Sequence, residues 1–279
     1  MIKTELIKIV GKIKSEFPGN KLAYLAMTSK VEDQVRDAIA NQMHIELQKI
    51  NSTSFVCREW KKIDAEILDS SGNPELLIEC KAHNSINFPF FLLKRNKKPT
   101  DSYPIVHDIK KLLDNGKDES SNYFIFFNNI VKSQSVLPKN FKGQANNPIA
   151  YQALVNKLIG LPYIDKLERV LKNWAFLLEQ LKLPLDLTSA VELNAGDYFN
   201  NTISILAFIY GPITNNVISS SLISTLPGNN QMDFINPKFD QFKFANINLN
   251  GIYFYSKDAV LLNLIKKNMS DIKCYKILN

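Results

Sequence analysis

Asp64, Glu79 and Lys81 are the residues of this chain whose types and spacing can do chemistry together. They lie in the stretch from Lys62 to His83, KIDAEILDSSGNPELLIECKAH, with Glu79 and Lys81 separated by one residue and Asp64 upstream of both. Two carboxylates supply hard oxygen ligands suited to Mg2+, which keeps several waters and takes its remaining ligands from phosphate. A metal so held lowers the pKa of a bound water, polarises a phosphoryl oxygen and stabilises a leaving oxygen. An ammonium beside it, that of Lys81, can orient or help deprotonate the attacking water and offset charge on a pentavalent phosphorus. The backbone carbonyl of Cys80, between Glu79 and Lys81, is a candidate further ligand.

These groups meet only if local structure aims them at one place. From Ile63 to Leu68 apolar Ile63, Ala65 and Ile67 alternate with acidic Asp64 and Glu66, the period of a half-buried strand with one core face and one acidic face. Ser70, Ser71, Gly72, Asn73 and Pro74 are turn formers dense enough to end that strand and begin an antiparallel neighbour. In the second strand, Glu75 to Lys81, Leu76, Ile78 and Cys80 share one face, and Leu77, Glu79 and Lys81 the other. Glu66 and Glu75 read as solvated strand and turn charges, with Glu66 an alternative ligand because it shares a face with Asp64.

Asp64 followed by Glu79-Cys80-Lys81 resembles the D…(D/E)xK signature of the PD-(D/E)XK nucleases, which include many type II restriction endonucleases, junction resolvases and repair nucleases. The resemblance covers about 20 residues, from Asp64 to Lys81, extended loosely by a helix before and a helix and strand after. The proline that names the motif is replaced by Ile63. The resemblance implies an α/β fold, a restriction-endonuclease-like core with a mixed central β-sheet flanked by helices, followed here by a C-terminal α+β extension. It also implies Asp64, Glu79 and the Cys80 carbonyl as Mg2+ ligands, Lys81 as a catalytic residue, and an accessory glutamate on the preceding helix. Glu32 is the best match for that glutamate and Glu46 the fallback.

Charge and composition agree with a polyanionic partner. The chain has 279 residues, 45% of them hydrophobic and 22% charged, as expected of a globular protein. Its net charge of +7 falls wholly in residues 1–183, while residues 184–279 are neutral. The basic excess therefore accompanies the triad, as contact with a nucleic acid requires, although a basic surface without such a partner has the same composition. Arg58 and Lys62 stand just upstream of Asp64, where they could reach the backbone of a bound DNA strand, and His83, two residues after Lys81, is either a phosphate contact or a plain strand-end histidine. Residues 84–104 mix aromatics with Lys94, Arg95, Lys97 and Lys98, either a DNA-contacting loop or a solvated loop anchored by its phenylalanines.

Other chemistries lack their signatures. The glycines form no GxGxxG or phosphate loop, there is no GxSxG elbow, and His44, His83 and His107 lack metal-ligand spacing. Cys57, Cys80 and Cys274 show no paired spacing, which points to a reduced, cytoplasmic setting. The N-terminal run reads as an amphipathic helix rather than a signal peptide, and the apolar stretch Ile203–Ile213 is too short to span a bilayer, so no membrane association is expected.

Around the hairpin, residues 2–15 read as a helix ended by Pro18-Gly19-Asn20. Ser29 is a plausible N-cap for a long helix, with Glu32 in capping-box position, which gives Glu32 a purely structural alternative to metal chemistry. Phe55–Trp60 reads as a strand, 105–115 as a helix, Tyr123–Phe127 as a strand, and Asn128–Pro148 as a long polar loop. Helices follow at about 149–160 and 163–182, strands at 202–210 and 251–255, and a helix near 258–267. Residues 1–183 then form the core, and 184–279 either complete it or serve specificity or dimerisation. The expectation is a Mg2+-dependent type II restriction endonuclease acting on double-stranded DNA as a homodimer. The alternatives are a structure-selective nuclease such as a junction resolvase or repair enzyme, a non-catalytic DNA-binding module of the same fold, and an interaction protein with no nucleic-acid role.

Overall fold

The computed structural model describes residues 2–28, 31–84, 104–116, 121–132, 162, 163, 166, 185, 187–213, 253–255 and 273–275. Three helices lead the chain, α1 (Ile2–Lys12), α2 (Lys21–Thr28) and α3 (Glu32–Lys49). A short 3-10 turn, Ile13–Glu16, extends α1 as far as the expected break at Pro18-Gly19. The strand β1 (Phe55–Cys57), a 3-10 turn at Trp60–Lys62, β2 (Ala65–Leu68) and β3 (Pro74–Asn84) come next. Then follow α4 (Pro104–Asn115), β4 (Ser121–Val131), β5 (Leu187–Tyr198) and β6 (Asn201–Tyr210), with three-residue strands β7 (Tyr253–Tyr255) and β8 (Lys273–Tyr275).

All of these strands join one mixed sheet in the order β1-β2-β3-β4-β6-β5-β7-β8. The β1-β2-β3 meander is antiparallel, and β4 returns parallel to β3 after α4, as a parallel neighbour requires a crossover. Strand β6 pairs antiparallel with β4 from Phe124↔Tyr210 to Val131↔Ile203, so the sheet runs unbroken from residues before 183 to residues after it. The β5–β6 hairpin closes on Phe199 and Asn200, both at positive φ (47° and 60°), the backbone that lets a two-residue turn follow strand twist.

Alternation along the central strands makes two apolar faces. Leu76, Ile78 and Cys80 of β3 lie with Tyr123, Ile125 and Phe127 of β4 and Ile203, Ile205 and Ile209 of β6, against Leu6, Val10, Leu22, Val35 and Ile39 of the first three helices. The opposite face carries Leu77, Phe124, Phe126 and Phe208, all buried, on the side where α4 presents buried Ile105, Ile109 and Leu112. Helices therefore cover both faces of a sheet that reads as near-continuous apolar runs in β4 and β6.

Several expectations change. Helix α2 and the strands β5 and β8 were not anticipated, and Asn128–Val131 continue β4 instead of opening a loop. Helix α3 starts at Glu32, with Val31 before it at helical angles and without a side-chain cap; Ser29, the expected N-cap, lies outside the described residues, and the Glu32 carboxylate accepts from Lys81 Nζ and Ala82 N. Strand β2 starts at Ala65, one residue after Asp64. The helices expected at 149–182 and 258–267 lie outside the described residues, apart from a helical Tyr163 and Lys166. Among the described residues, no helix is long and apolar enough to cross a membrane.

Candidate functional site

The site exists because β3 is longer than its neighbour β2. The two strands pair only as far as Ala65↔Ile78, whereas β3 continues to Asn84 and stays paired with β4 throughout. Alternate N–H groups of a strand face the same side, so those of Cys80 and Ala82 point to the edge that β2 vacates. Buried N–H groups must find acceptors, and two carboxylates provide them. Asp64 Oδ2 accepts from Cys80 N at 2.8 Å, and Glu32 Oε2 accepts from Ala82 N at 2.9 Å. The edge is thus closed by acidic side chains in place of a strand. The Cys80 carbonyl faces the same edge, because N–H and C=O of one strand residue point the same way.

This edge also joins the two helical layers. Lys81 projects to the α4 face, where its Nζ lies 3.1 Å from Asp108 Oδ2 of α4, and it reaches 3.2 Å to Glu32 Oε1 of α3. Glu79, on the same face as Lys81 and only 1% exposed, pairs with Lys111 Nζ of α4 at 2.8 Å. Lys111 is also 3.6 Å from Asp108 Oδ1 and donates to the Lys62 carbonyl at 3.0 Å. Arg36, one helical turn after Glu32, lies 3.7 Å from Asp64 Oδ1 and 3.1 Å from Glu59 Oε1. Four carboxyl groups, Glu32, Asp64, Glu79 and Asp108, therefore face three cations, Arg36, Lys81 and Lys111.

Burial tunes these groups. Desolvation pushes the Glu79 carboxyl up to about 8, with the nearby Asp64 charge adding to it and Lys111 opposing it. Asp64 is also raised, chiefly by desolvation, against the lowering effect of its bond from Cys80 N. Burial opposes the charge on Lys81, but Asp108 and Glu32 outweigh it and raise the ammonium above its ordinary value. Lys81 is therefore a firmly protonated donor near neutral pH and is not placed to deprotonate water.

The remaining expected residues fall out as follows. Glu46 pairs with Lys12 and Lys49, which hold its carboxyl down to about 2, and the fallback role is unsupported. Glu66 is fully buried, not a solvated strand charge: its Oε1 accepts from Trp60 N at 2.6 Å, and desolvation raises it to about 8. Both faces of β2 are covered, so the acidic face expected of it does not meet solvent. Glu75 is exposed, as expected. Exposed Arg58 pairs with Asp37, Lys62 is exposed, and half-buried His83 stacks on Phe126 with ring centroids 6.0 Å apart. Lys94, Arg95, Lys97 and Lys98 lie outside the described residues.

Arg36, Asp108 and Lys111 were not anticipated. Asp108 was detectable, since it interrupts the apolar stripe Ile105, Ile109 and Leu112, where a charge needs a partner. Arg36 follows Glu32 by four residues and shares its helix face.

Among the described residues, no group of three or more His, Cys, Asp or Glu side chains stands ready to hold a metal. Side chains would supply two carboxylates, Asp64 and Glu79, leaving the other positions to backbone, water or substrate, which is how Mg2+ is ordinarily held. Buried Glu79 and half-buried Asp64 are both raised chiefly by desolvation, Glu79 also by the Asp64 charge and Asp64 also by the Glu32 charge; a divalent cation would relieve such a donor set, and in that sense the residues fit Mg2+. No family model, curated protein or solved structure matches the chain.

Proposed function

We propose that this chain is a Mg2+-dependent endonuclease that hydrolyses phosphodiester bonds of double-stranded DNA at a specific sequence, in the manner of a type II restriction enzyme and with the PD-(D/E)XK site plan. The observation that carries the reading is the meeting of Glu32, Asp64, Glu79 and Lys81, drawn from separated segments, at the edge where β3 outruns β2. The order helix, antiparallel hairpin, helix and parallel strand, here α3, β2-β3, α4 and β4, suits the mixed core of that family.

In this reading Asp64, Glu79 and the Cys80 carbonyl hold the metal. Bound there, Mg2+ supplies charge for the phosphoryl oxygens and acidifies water. Lys81, fixed between Glu32 and Asp108, donates a charged hydrogen bond that orients the attacking water or a nonbridging phosphate oxygen. Glu32 positions Lys81 and closes the Ala82 N–H, and Arg36 steadies Asp64. Exposed Arg58, Lys61 and Lys62, just before Asp64, provide sequence-independent phosphate contacts. Cutting both strands calls for two such sites, so a homodimer is part of the proposal.

The test is plasmid and long linear duplex cleavage with Mg2+, comparing wild type with Asp64→Ala and Lys81→Ala. Discrete bands from wild type and none from either variant are expected. Cleavage that survives both substitutions refutes the site, and cutting confined to branched substrates replaces the restriction reading with a structure-selective one.

A further inference from the structure

We propose that Lys111 is the built-in counter-ion of this site, occupying in the metal-free protein the place of a divalent cation and giving way when one binds. The inference rests on the metal-site reading above and concerns a residue that the D…ExK signature does not include.

Three observations converge on Lys111. Its ammonium is only 2.8 Å from Glu79 Oε1, the carboxylate that the metal would need. It also lies 3.6 Å from Asp108 Oδ1 and donates to the Lys62 carbonyl at 3.0 Å, so three oxygens of two side chains and one backbone group surround it. This is an oxygen-rich environment of the kind a hard cation takes. Glu79 is buried, and a buried carboxylate without a cation would be strongly disfavoured. A metal and Lys111 cannot both neutralise Glu79 at contact distance without repelling each other.

The Lys62 carbonyl is held out by an unusual turn. Glu59, Lys61 and Lys62 all have positive φ, at 58°, 50° and 67°, a conformation uncommon for residues other than glycine. Such backbone persists only when its surroundings over-determine it. Here Glu66 accepts from Trp60 N, Arg36 pairs with Glu59, and Lys111 donates to Lys62 O. Lys111 thus ties the turn bearing Lys61 and Lys62 to the metal-binding carboxylate, and a metal that displaces it unties that turn beside the substrate.

Mg2+ binding is measured by calorimetry at increasing pH for wild type, Asp64→Asn, Lys111→Met and Lys111→Gln, and each protein is compared at the plateau where further alkali no longer tightens binding, because losing Lys111 raises the Glu79 carboxyl further. Both Lys111 variants should bind Mg2+ about 10-fold tighter than wild type, as expected when a competing cation is removed, and Asp64→Asn should bind far more weakly. In unmutated protein, reductive methylation mapped by mass spectrometry should label Lys111 several-fold faster with Mg2+ than without. Binding that depends on Asp64 but is no tighter in either Lys111 variant, or methylation of Lys111 indifferent to Mg2+, overturns the counter-ion role and leaves the metal site standing. Binding indifferent to Asp64→Asn overturns the metal-site reading and this inference together.

Discussion

Replacing Glu66 by glutamine should stabilise the protein in alkali and leave it unchanged in acid. Glu66 is fully buried and accepts from Trp60 N, while its Oε2 has no partner among the described residues. Desolvation, reinforced by the Asp64 charge and opposed by the bond from Trp60, raises its carboxyl from 4.5 to about 8. A carboxyl that binds its proton more tightly when folded contributes stability that is fully present below about pH 4.5 and is lost as pH rises to about 8. Each pKa unit corresponds to about 1.4 kcal/mol, so this shift sets a ceiling of about 5 kcal/mol. Relaxation and water entry around an ionised buried group reduce the cost, to about 2–3 kcal/mol. Glutamine keeps the acceptor for Trp60 N and cannot ionise. Urea unfolding from pH 4 to 9 should therefore give matching stabilities for wild type and Glu66→Gln at pH 4, and a variant more stable by about 2–3 kcal/mol at pH 9. Parallel curves over the whole range would refute the claim that Glu66 is neutral in the folded protein.

Further outcomes separate the roles at the site. Glu32→Gln, which weakens the grip on Lys81, should reduce cleavage by roughly 10- to 100-fold, whereas Glu46→Ala should leave cleavage unchanged and cost under about 1 kcal/mol in urea unfolding, as exposed ion pairs do. Asp108→Asn removes one of the two carboxylates holding Lys81 and should lower single-turnover cleavage by roughly 10-fold with little change in DNA affinity. DNA affinity measured by fluorescence anisotropy should fall steeply between 50 and 200 mM salt, and Lys61→Ala combined with Lys62→Ala should lessen that slope by about 2, one for each phosphate left without its lysine.

The hairpin and its chemical residues were legible because their signals are local. Period-two alternation and a turn cluster fix β2 and β3 within a span of twenty residues, and the ExK spacing puts Glu79 and Lys81 on one face in any strand. Strand β5 had a usable signal, since Val191, Leu193 and Ala195 alternate with Glu192 and Asn194, but Gly196 and the polar run around it obscured the pattern. The role of Glu32 was not legible. A first-turn glutamate looks the same whether it caps its helix or reaches a distant strand, and only tertiary packing brings Ala82 N within 2.9 Å of it.

By itself, the sequence determined that Glu79 and Lys81 share a strand face, because side-chain direction follows from backbone period. Only the tertiary structure decided that β2 stops opposite Ile78, which leaves the Cys80 and Ala82 N–H groups to Asp64 and Glu32. It also decided that α4 supplies Asp108 and Lys111, and that Glu66 is buried. The physical reason is that these features depend on where one strand ends relative to another and on which helix covers which face, quantities set by the packing of segments far apart in the chain.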